Sequence, residues 1–412
     1  MCEKKQSKKM KFQTIRDIAV KGKTVLLRAD LNVPRQNSEI SDTTRIDRLK
    51  PTIKYLCAQG AKVLLLSHFG RPEGEQNPEM SLAFLTGALE KSWGVPTRFA
   101  PDCIGDNTDE LAQAMPFGEV MLLENVRFYT EESKNDPVFA KKLASLGDIY
   151  VNDAFSASHR AHASTAAIAS FLPTAAGFLM EEELNALSAA LVNPEKPLAA
   201  VTGGSKISSK LNVLYNLVEK ADYLILGGGM ANTFLYAAGH DMGKSLCEKD
   251  MRDEAQKIMR KAKDVGCEII LPRDVVAVSE LKEHAKFQTI SVDQFPADRM
   301  AIDVGPETIS YIQDKLKKCK TIVWNGPLGV FEIKPFDNGT NVVAQFVSQQ
   351  TQIGNCISVA GGGDTISALD NAGAAQGFSY ISTAGGAFLE WLEGRDLPGI
   401  TALYDAQNDK AA

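Results

Sequence analysis

The chain has 412 residues, of which 44% are hydrophobic and 23% charged, and its formal net charge is −6. This length exceeds what one hydrophobic core usually serves, so it predicts two domains of ordinary globular composition. The negative charge argues against nucleic-acid binding as a general function. No apolar run is long enough to span a membrane, and the basic stretch 1–10 lacks the apolar centre of a signal peptide. We therefore expect no membrane partner, and we expect the amino-terminal lysines to form a solvated tail.

The seven cysteines are scattered, and no two of them form a C-x-x-C pair. An odd, dispersed set is typical of reduced thiols in a cytosolic protein. The sequence thus predicts a cytoplasmic location.

Short apolar runs alternate with helical patterns along the whole chain. Strands that lack polar alternation are buried on both faces, which is typical of parallel sheets covered by helices. The sequence therefore predicts an α/β fold with two parallel sheets, each with helices on both faces. The predicted strands are Thr24–Arg28, Lys62–Ser67, Glu119–Glu124, Ile149–Ala154, Leu198–Thr202, Tyr223–Gly227, Glu268–Leu271, Thr321–Trp324, Ile357–Ala360 and Tyr380–Thr383.

The domain boundary is predicted within a helical pattern that begins at Glu181. Leu184, Leu187 and Leu191 lie on one stripe of this pattern, and Asn193-Pro194 stops it. We interpret residues 181–194 as a hinge helix between a first domain, 1–180, and a second domain, 195–396. An ordinary packing helix is the alternative, and one helix can serve both purposes.

Polar residues follow the predicted strands of the first half. Arginines occur after three strands and at the start of a helix, and the carboxyl ends of parallel strands share one edge where ligands bind. A single arginine is more often a surface side chain, but a group at successive strand ends favours a site for a small anion, because guanidinium matches phosphate and carboxylate. The group is Arg45, Arg71, Arg127 and Arg160, with His68 and, as further candidates, Arg28, His159 and His162.

Glycine turns mark the second half. Gly361–Gly363 follow a predicted strand, and Asp364-Thr365 open a helix, so the turn is an anion site or a simple helix entry. Asp364 could hold a metal ion that accompanies phosphates. After an earlier glycine turn, Lys206 and Lys210 lie four residues apart, which predicts one shared helical face. This face either is simply solvated or holds neighbouring phosphates, and the glycines just before it favour phosphate.

Two nucleotide signatures fail in this sequence. The stretch from Ala238 to Ser245 matches the P-loop pattern except that Ala238 replaces its first glycine. A P-loop must follow a strand, whereas a helix is predicted before Ala238. Lys244 is therefore interpreted as a structural or surface residue. The Gly361–Thr365 turn does not match G-x-G-x-x-G, which weakens a dinucleotide interpretation.

Seven motifs occur together and in order, and through them the chain resembles the phosphoglycerate kinase family over nearly its whole length. They are Arg28-Ala-Asp-Leu-Asn-Val-Pro34, Ser67-His-Phe-Gly-Arg-Pro72, Glu124-Asn-Val-Arg-Phe128, His159-Arg-Ala-His162, Gly203-Gly-Ser-Lys-Ile-Ser-Ser-Lys210, Trp324-Asn-Gly-Pro-Leu-Gly-Val-Phe-Glu332 and Gly361-Gly-Gly-Asp-Thr365.

The resemblance implies two Rossmann-like domains joined by a hinge, with the carboxyl-terminal segment 397–412 returning to the first domain. It implies a monomer that transfers the acyl phosphate of 1,3-bisphosphoglycerate to ADP after domain closure, reversibly and with Mg²⁺, giving ATP and 3-phosphoglycerate.

The resemblance also implies residue roles. The expected ligands of the three-carbon acid are Asp30, Asn32, Arg45, His68, Arg71, Arg127 and Arg160. The expected nucleotide residues are Lys206, Lys210, Asn325, Glu332, Gly362, Gly363, Asp364 and Thr365, with Asp364 on the metal. The expected catalytic residues are Arg45, Lys206 and Gly385.

Three positions depart from the family pattern. Ala384 and Phe388 alter the late glycine turn, residues 382–388, which puts its backbone geometry in question. Ala301 stands where many relatives have glycine, near the expected site of the nucleotide base. Two other functions stay open: a nucleotide-dependent binding protein without turnover, and an NAD-dependent oxidoreductase. The intact charged residues oppose the first and the missing dinucleotide fingerprint opposes the second.

Overall fold

The computed structural model describes residues 12–37 and 39–408. The predicted lysine tail, Cys2 and the last four residues of the predicted carboxyl-terminal segment lie outside this range. The described chain forms two compact units. One contains the residues up to Leu184 together with those from Asp396 onward, and the other is Asn185–Arg395.

The first unit contains a six-stranded parallel sheet and a short hairpin. The sheet order is β5-β6-β4-β1-β7-β8, and β2 pairs antiparallel with β3. The strands are β1 Thr24–Arg28, β2 Arg35–Gln36, β3 Glu39–Ile40, β4 Lys62–Leu66, β5 Thr97–Ala100, β6 Val120–Leu123, β7 Ile149–Asn152 and β8 Thr174–Ala176.

Helices cover both faces of this sheet. Alternate strand residues enter opposite cores: Val25 and Leu27 of β1 pack in one cluster, while Leu26 packs in the other. This burial on both sides explains why the strand sequences show no polar alternation. The helices are α1 Thr44–Ala58, α2 Thr86–Trp93, α3 Asp106–Ala114, α4 Thr130–Ser133, α5 Pro137–Ala144 and α6 Phe178–Leu187.

The second unit contains a parallel sheet of order β11-β10-β9-β15-β16-β17 and an antiparallel sheet of order β13-β12-β14. The predicted fold class is confirmed for the two parallel sheets, whereas the antiparallel sheet was not predicted. The strands are β9 Leu198–Thr202, β10 Tyr223–Leu226, β11 Glu268–Ile270, β12 Asp274–Val278, β13 Phe287–Ser291, β14 Met300–Val304, β15 Thr321–Asn325, β16 Ile357–Gly361 and β17 Tyr380–Ser382.

The remaining helices surround the second sheet, except for α14, which belongs to the first unit. No helix in the described ranges combines the length and apolarity needed to cross a bilayer. The helices are α7 Leu211–Lys220, α8 Gly228–Ala238, α9 Arg252–Val265, α10 Pro306–Leu316, α11 Asn338–Gln352, α12 Gly363–Asn371, α13 Gly386–Leu392 and α14 Pro398–Asn408.

The helix predicted from Glu181 begins earlier and ends differently. It starts at Phe178 as α6, and after Leu187 the chain continues as a π-helical segment, Ser188–Val192. The buried Asp153 carboxylate accepts a hydrogen bond from the Met180 amide at 2.9 Å and thereby satisfies the first turn. Since this capping group lies far away in sequence, local patterning could not place the helix start.

Candidate active site

Apart from Arg45 in α1, the predicted acid-site residues of the first unit follow β1, β4, β6 and β7, which are neighbours in the sheet. The carboxyl ends of these parallel strands therefore bring their following loops to one edge. The loops carry Asp30 and Asn32 after β1, His68 and Arg71 after β4, Arg127 after β6 and Arg160 after β7.

Asp30 and Arg45 form an ion pair at this edge. Arg45 lies in the first turn of α1 and donates to Asp30 Oδ2, which also accepts from Ser156 Oγ at 2.5 Å. Burial alone would raise the pKa of Asp30, but the charge of Arg45 and hydrogen bonds from Ser156 and the Asn32 amide hold the pKa below its usual value. Asp30 is therefore an ionised anchor that orients the guanidinium.

Gly70 is held between two predicted ligands. Its amide donates to Asn32 Oδ1 at 3.1 Å, and its carbonyl accepts from Arg127 Nη1 at 2.8 Å. These bonds fix the loop that carries the exposed Arg71.

The pKa of Arg127 is lowered to about 10 by burial and by the positive charges of Arg28, Arg160 and Arg71, with Glu132 opposing. Like charges gathered in this way repel one another until an anion compensates them. This edge is therefore suited to a small molecule with several negative charges.

In the segment after β7, Arg160 and the histidines His159 and His162 differ in exposure. Arg160 is exposed, and its Nε donates to His159 Nε2 at 3.1 Å. His162 is buried, and burial together with Arg127, Arg28 and Arg160 lowers its pKa to about 4. His162 is thus a neutral residue beneath the site.

Arg28 is committed to contacts inside the protein. Only 1% of its surface is exposed, and it contacts Ser164 Oγ at 2.9 Å and His68 Nδ1 at 3.0 Å. Ser164 Oγ donates in turn to Glu132 Oε1 at 2.6 Å. The sequence identified Arg28 as a further candidate ligand; in the structure its guanidinium is buried and contacts Ser164 and His68.

In the second unit, the predicted nucleotide residues lie at or after the ends of β9, β15 and β16, and the predicted catalytic Gly385 follows β17; these four strands are consecutive in the sheet. Two of their turns touch through backbone. A Cβ on Gly203 would lie 1.8 Å from Pro327 O, and a Cβ on Gly326 would lie 2.3 Å from Gly203 O. Glycine is therefore required at both positions for the turns to meet.

Lys210 joins these turns. Its ammonium donates to Gly203 O at 2.9 Å, Asn325 O at 3.1 Å and Asn325 Oδ1 at 2.8 Å. Burial lowers the pKa of Lys210 to about 8, while Asp364 opposes this shift.

The predicted helical face shared by Lys206 and Lys210 is wrong. Lys206 is exposed in a segment without regular structure, and Lys210 ends a short 3₁₀ turn, Ser208–Lys210, just before α7. The glycines Gly203 and Gly204 favour an irregular approach to the helix, so the spacing of four residues does not reflect an α-helical turn here.

The Gly361–Thr365 turn has the geometry of an anion-binding helix entry. Gly362 has φ +100°, which favours glycine, and Gly363 begins α12. Asn325 Nδ2 donates to Gly361 O at 2.7 Å and fixes the turn from below. Asp364 is exposed in the first helical turn, whereas Thr365 is buried.

The late glycine turn is adapted to its unusual residues. Gly385 has φ +45° and precedes α13, while Phe388 is fully buried. A Cβ on Gly361 would lie 2.6 Å from Phe388 Cδ1, so the ring fills the space beside that glycine. Glu332, the predicted ribose ligand, is exposed in the loop after β15.

Three supporting residues were missed by the sequence interpretation. Ser156 lies in the same loop as the predicted site residues His159, Arg160 and His162. Its position directly after β7 could have identified it as a residue of this edge. Ser164 and Glu132 belong to no recognised motif, and their roles depend on contacts with Arg28 that sequence spacing does not show.

Residues 15–395 match the family model described as phosphoglycerate kinase. The chain belongs to the phosphoglycerate kinase family. It is 57% identical over 394 residues to the phosphoglycerate kinase of Rhodospirillum centenum, covering 96% of this chain and 100% of the relative. It is 54% identical over 395 residues to that of Cereibacter sphaeroides (strain ATCC 17025 / ATH 2.4.3), with the same coverage.

Solved phosphoglycerate kinase structures have the same fold. The protein from Coxiella burnetii aligns with a TM-score of 0.90 and 44% identity, covering 96% of this chain and 99% of that one. The protein from Pyrococcus horikoshii OT3 aligns with a TM-score of 0.77 and 31% identity at the same coverage. The family and the enzyme class predicted from the motifs, a phosphotransferase with a carboxyl group as acceptor, are confirmed.

Proposed function

We propose that this chain transfers the acyl phosphate of 1,3-bisphosphoglycerate to ADP, reversibly, giving ATP and 3-phosphoglycerate in glycolysis. The observation that carries the proposal is the family match across residues 15–395. The two units support it, because in each the residues proposed to bind anions lie at the carboxyl ends of a parallel sheet, where ligands of such sheets bind.

The first unit, predicted as domain 1–180 with segment 397–412, binds the acid in this proposal. The support is the clustering of positive charge that lowers the Arg127 pKa and the anchoring of Arg45 by Asp30. The acid ligands are Asp30, Asn32, Arg45, His68, Arg71, Arg127 and Arg160.

The second unit, predicted as domain 195–396, binds the nucleotide. Asn325 and Lys210 hold the glycine turns, and the start of α12 offers unpaired amides to phosphate oxygens. Glu332 is the proposed ribose ligand, and Gly362–Thr365 are the proposed contacts of the phosphate end.

Mg²⁺ would be held by Asp364. In the described chain, no group of three or more histidine, cysteine or acidic side chains is arranged to hold a metal. A single exposed carboxylate fits Mg²⁺, which commonly takes its other ligands from substrate phosphates and water. When bound, the ion would offset negative charge on the phosphates.

Transfer needs an in-line approach of donor and acceptor and compensation of charge on the three equatorial oxygens. In our proposal Arg45 and Lys206 provide positive charge, and the backbone at Gly385 completes the catalytic set. A general base is unnecessary, because the acceptor is an ionised oxygen of ADP or of the carboxylate. Since each unit holds one substrate, transfer follows closure about segment 181–194, which excludes water that would hydrolyse the acyl phosphate.

A single assay distinguishes this function from the two alternatives. Purified protein is incubated with ATP, Mg²⁺ and 3-phosphoglycerate, and the acyl phosphate formed is measured through its coupled reduction. We expect turnover that depends on all three components. No product from folded protein would support a nucleotide-binding protein without turnover, and reduction without added coupling enzyme would support an oxidoreductase.

The monomeric state and the cytoplasmic location remain predictions from the family resemblance and the cysteine pattern. Sedimentation analysis of the purified chain tests the first, and a monomer is the expected result.

A further inference from the structure

A buried chain of polar groups leads from Glu132 to His68 beneath the acid site. Glu132 is completely buried and accepts from Ser164 twice, from the amide at 2.9 Å and from Oγ at 2.6 Å. Arg28 Nε donates to Ser164 Oγ at 2.9 Å, and Arg28 Nη2 lies 3.0 Å from His68 Nδ1. Four elements of the first unit thus meet in one hydrogen-bonded line.

The protons in this line can be placed by elimination. A guanidinium has donors and no acceptor, so the short contact between Arg28 and His68 requires that Nδ1 of the ring accept. Ser164 has one hydroxyl proton, which it donates to the Glu132 carboxylate, and its lone pair therefore receives Arg28 Nε. An imidazole that accepts at Nδ1 carries its proton on Nε2.

We propose that Arg28, held by Ser164 and Glu132, is a positioning residue that fixes His68 as the neutral ring with its proton on Nε2. The remaining N–H is then a single, oriented donor for the anionic acid. This last step rests on the proposed function, whereas the tautomer itself follows from contacts within the chain.

The charges around the ring favour the same state. The groups that act on His68 are Arg28, Asp30, Arg127 and His162. Burial and the positive charge of Arg28 shift the pKa of His68 well below its usual value, with Asp30 opposing. The ring therefore stays neutral near physiological pH even though an ionised aspartate lies close.

Glu132 makes this arrangement possible by compensating a buried cation. Arg28 is 1% exposed, and a buried charge without a partner is strongly destabilising. Burial raises the pKa of Glu132, and Arg28 and the hydrogen bonds from Ser164 oppose that rise. The carboxylate accepts two of these bonds, so it holds Ser164 in the orientation that receives Arg28 Nε.

The direct test is a two-dimensional ¹H–¹⁵N spectrum of the full chain labelled at its five histidines, without substrate. The spectrum of His68→Gln identifies the His68 signals by their loss. We expect an unprotonated Nδ1 and a protonated Nε2, unchanged between about pH 6 and about pH 8. A protonated Nδ1, or a ring that titrates in this range, would overturn the proposal.

Ser164→Ala tests the support of Arg28 while keeping both charges. We expect mixed tautomers of His68 and a rise of about tenfold in KM for 3-phosphoglycerate, the scale of one charge-assisted hydrogen bond, with KM for the nucleotide unchanged. Ser358→Ala removes a buried serine hydroxyl in the second unit and controls for general destabilisation. An unaltered His68 spectrum in folded Ser164→Ala would contradict the role of Ser164 and Glu132.

The two proposals fail separately. The predicted tautomer in a protein without kinase turnover would refute the proposed function alone. Full turnover with Nδ1 protonated would refute the positioning role alone.

Discussion

The Lys210 ammonium lies 2.8 Å from Oδ1 of Asn325, and the amide nitrogen of the same asparagine donates to Gly361 O at 2.7 Å. Lys210 also donates to Gly203 O at 2.9 Å. One cation and one amide thus join the turns after β9, β15 and β16. Because partial burial lowers the pKa of this ammonium, its charge depends on pH within an accessible range.

The pH dependence of nucleotide use follows from Lys210. Burial lowers its pKa to about 8, so the free protein loses this positive charge as pH rises through that value. We expect kcat/KM for the nucleotide, which reports groups of the free enzyme, to fall between about pH 7 and about pH 9. Steady-state kinetics across this range measure the effect.

Two variants complete the pH experiment. Lys210→Met should give low kcat/KM without the same pH step, whereas Lys244→Met, which removes an exposed lysine of the second unit, should keep the original profile. A step that persists unchanged in Lys210→Met would assign it to another group.

Arg45→Ala and Lys206→Ala are expected to reduce turnover. In the proposed mechanism both side chains balance charge that develops during transfer, and loss of such a contact lowers kcat on the order of 10²–10³. Calorimetry should show nucleotide binding much less affected than kcat. The controls are Arg98→Ala, which removes an exposed arginine paired with Glu119, and Lys244→Met. Near wild-type kcat in either site variant would refute its assignment.

Arg160→Ala is expected to act chiefly on the acid substrate. Arg160 is exposed at the sheet edge and adds to the positive field at Arg127, so its loss weakens attraction of the anion. We expect KM for 3-phosphoglycerate to rise by about tenfold or more, as for loss of a charge-assisted contact, with a smaller change in kcat. An unchanged KM would show that Arg160 lies outside the anion site.

Gly361→Ala tests the packing of Phe388, a residue of the altered late turn, against Gly361. The added methyl would lie 2.6 Å from Phe388 Cδ1, and overpacking of this kind costs about 1–3 kcal/mol. Denaturant unfolding should show the loss, and Phe388→Leu in the same chain should recover part of it. Gly87→Ala is the control, because its methyl would meet nothing within 4 Å and the residue lies in α2. Equal stability of Gly361→Ala and wild type would contradict the packing.

The parallel sheets were predictable because their strands are buried on both faces and therefore apolar throughout. The antiparallel sheet was not, since β13 is mostly exposed and its residues Phe287–Ser291 carry no clear pattern. The start of α6 escaped prediction because its capping group, Asp153, is distant in sequence.

The candidate site divides in the same way. Residues that follow strands, such as Asp30 and Arg127, are brought to one edge by the sheet alone. Their motifs were therefore sufficient to predict this common location. The conformation around Lys206 and the contacts of Arg28 with Ser164 and His68 depend on residues from several elements. Sequence identified the residue types there but not their partners.

Asp364→Ala separates the proposed metal site of the second unit from the proposed acid site of the first. Its control is Asp253→Ala, which removes an exposed aspartate from the first turn of α9 in the same unit. The measurement pairs Mg²⁺-dependent phosphorylation of 3-phosphoglycerate with calorimetric binding of 3-phosphoglycerate to the same protein. We predict that Asp364→Ala loses magnesium-dependent turnover and retains acid binding, while the control keeps both. Wild-type turnover in Asp364→Ala, or loss of acid binding together with turnover, would contradict the assignment of metal and acid to separate units.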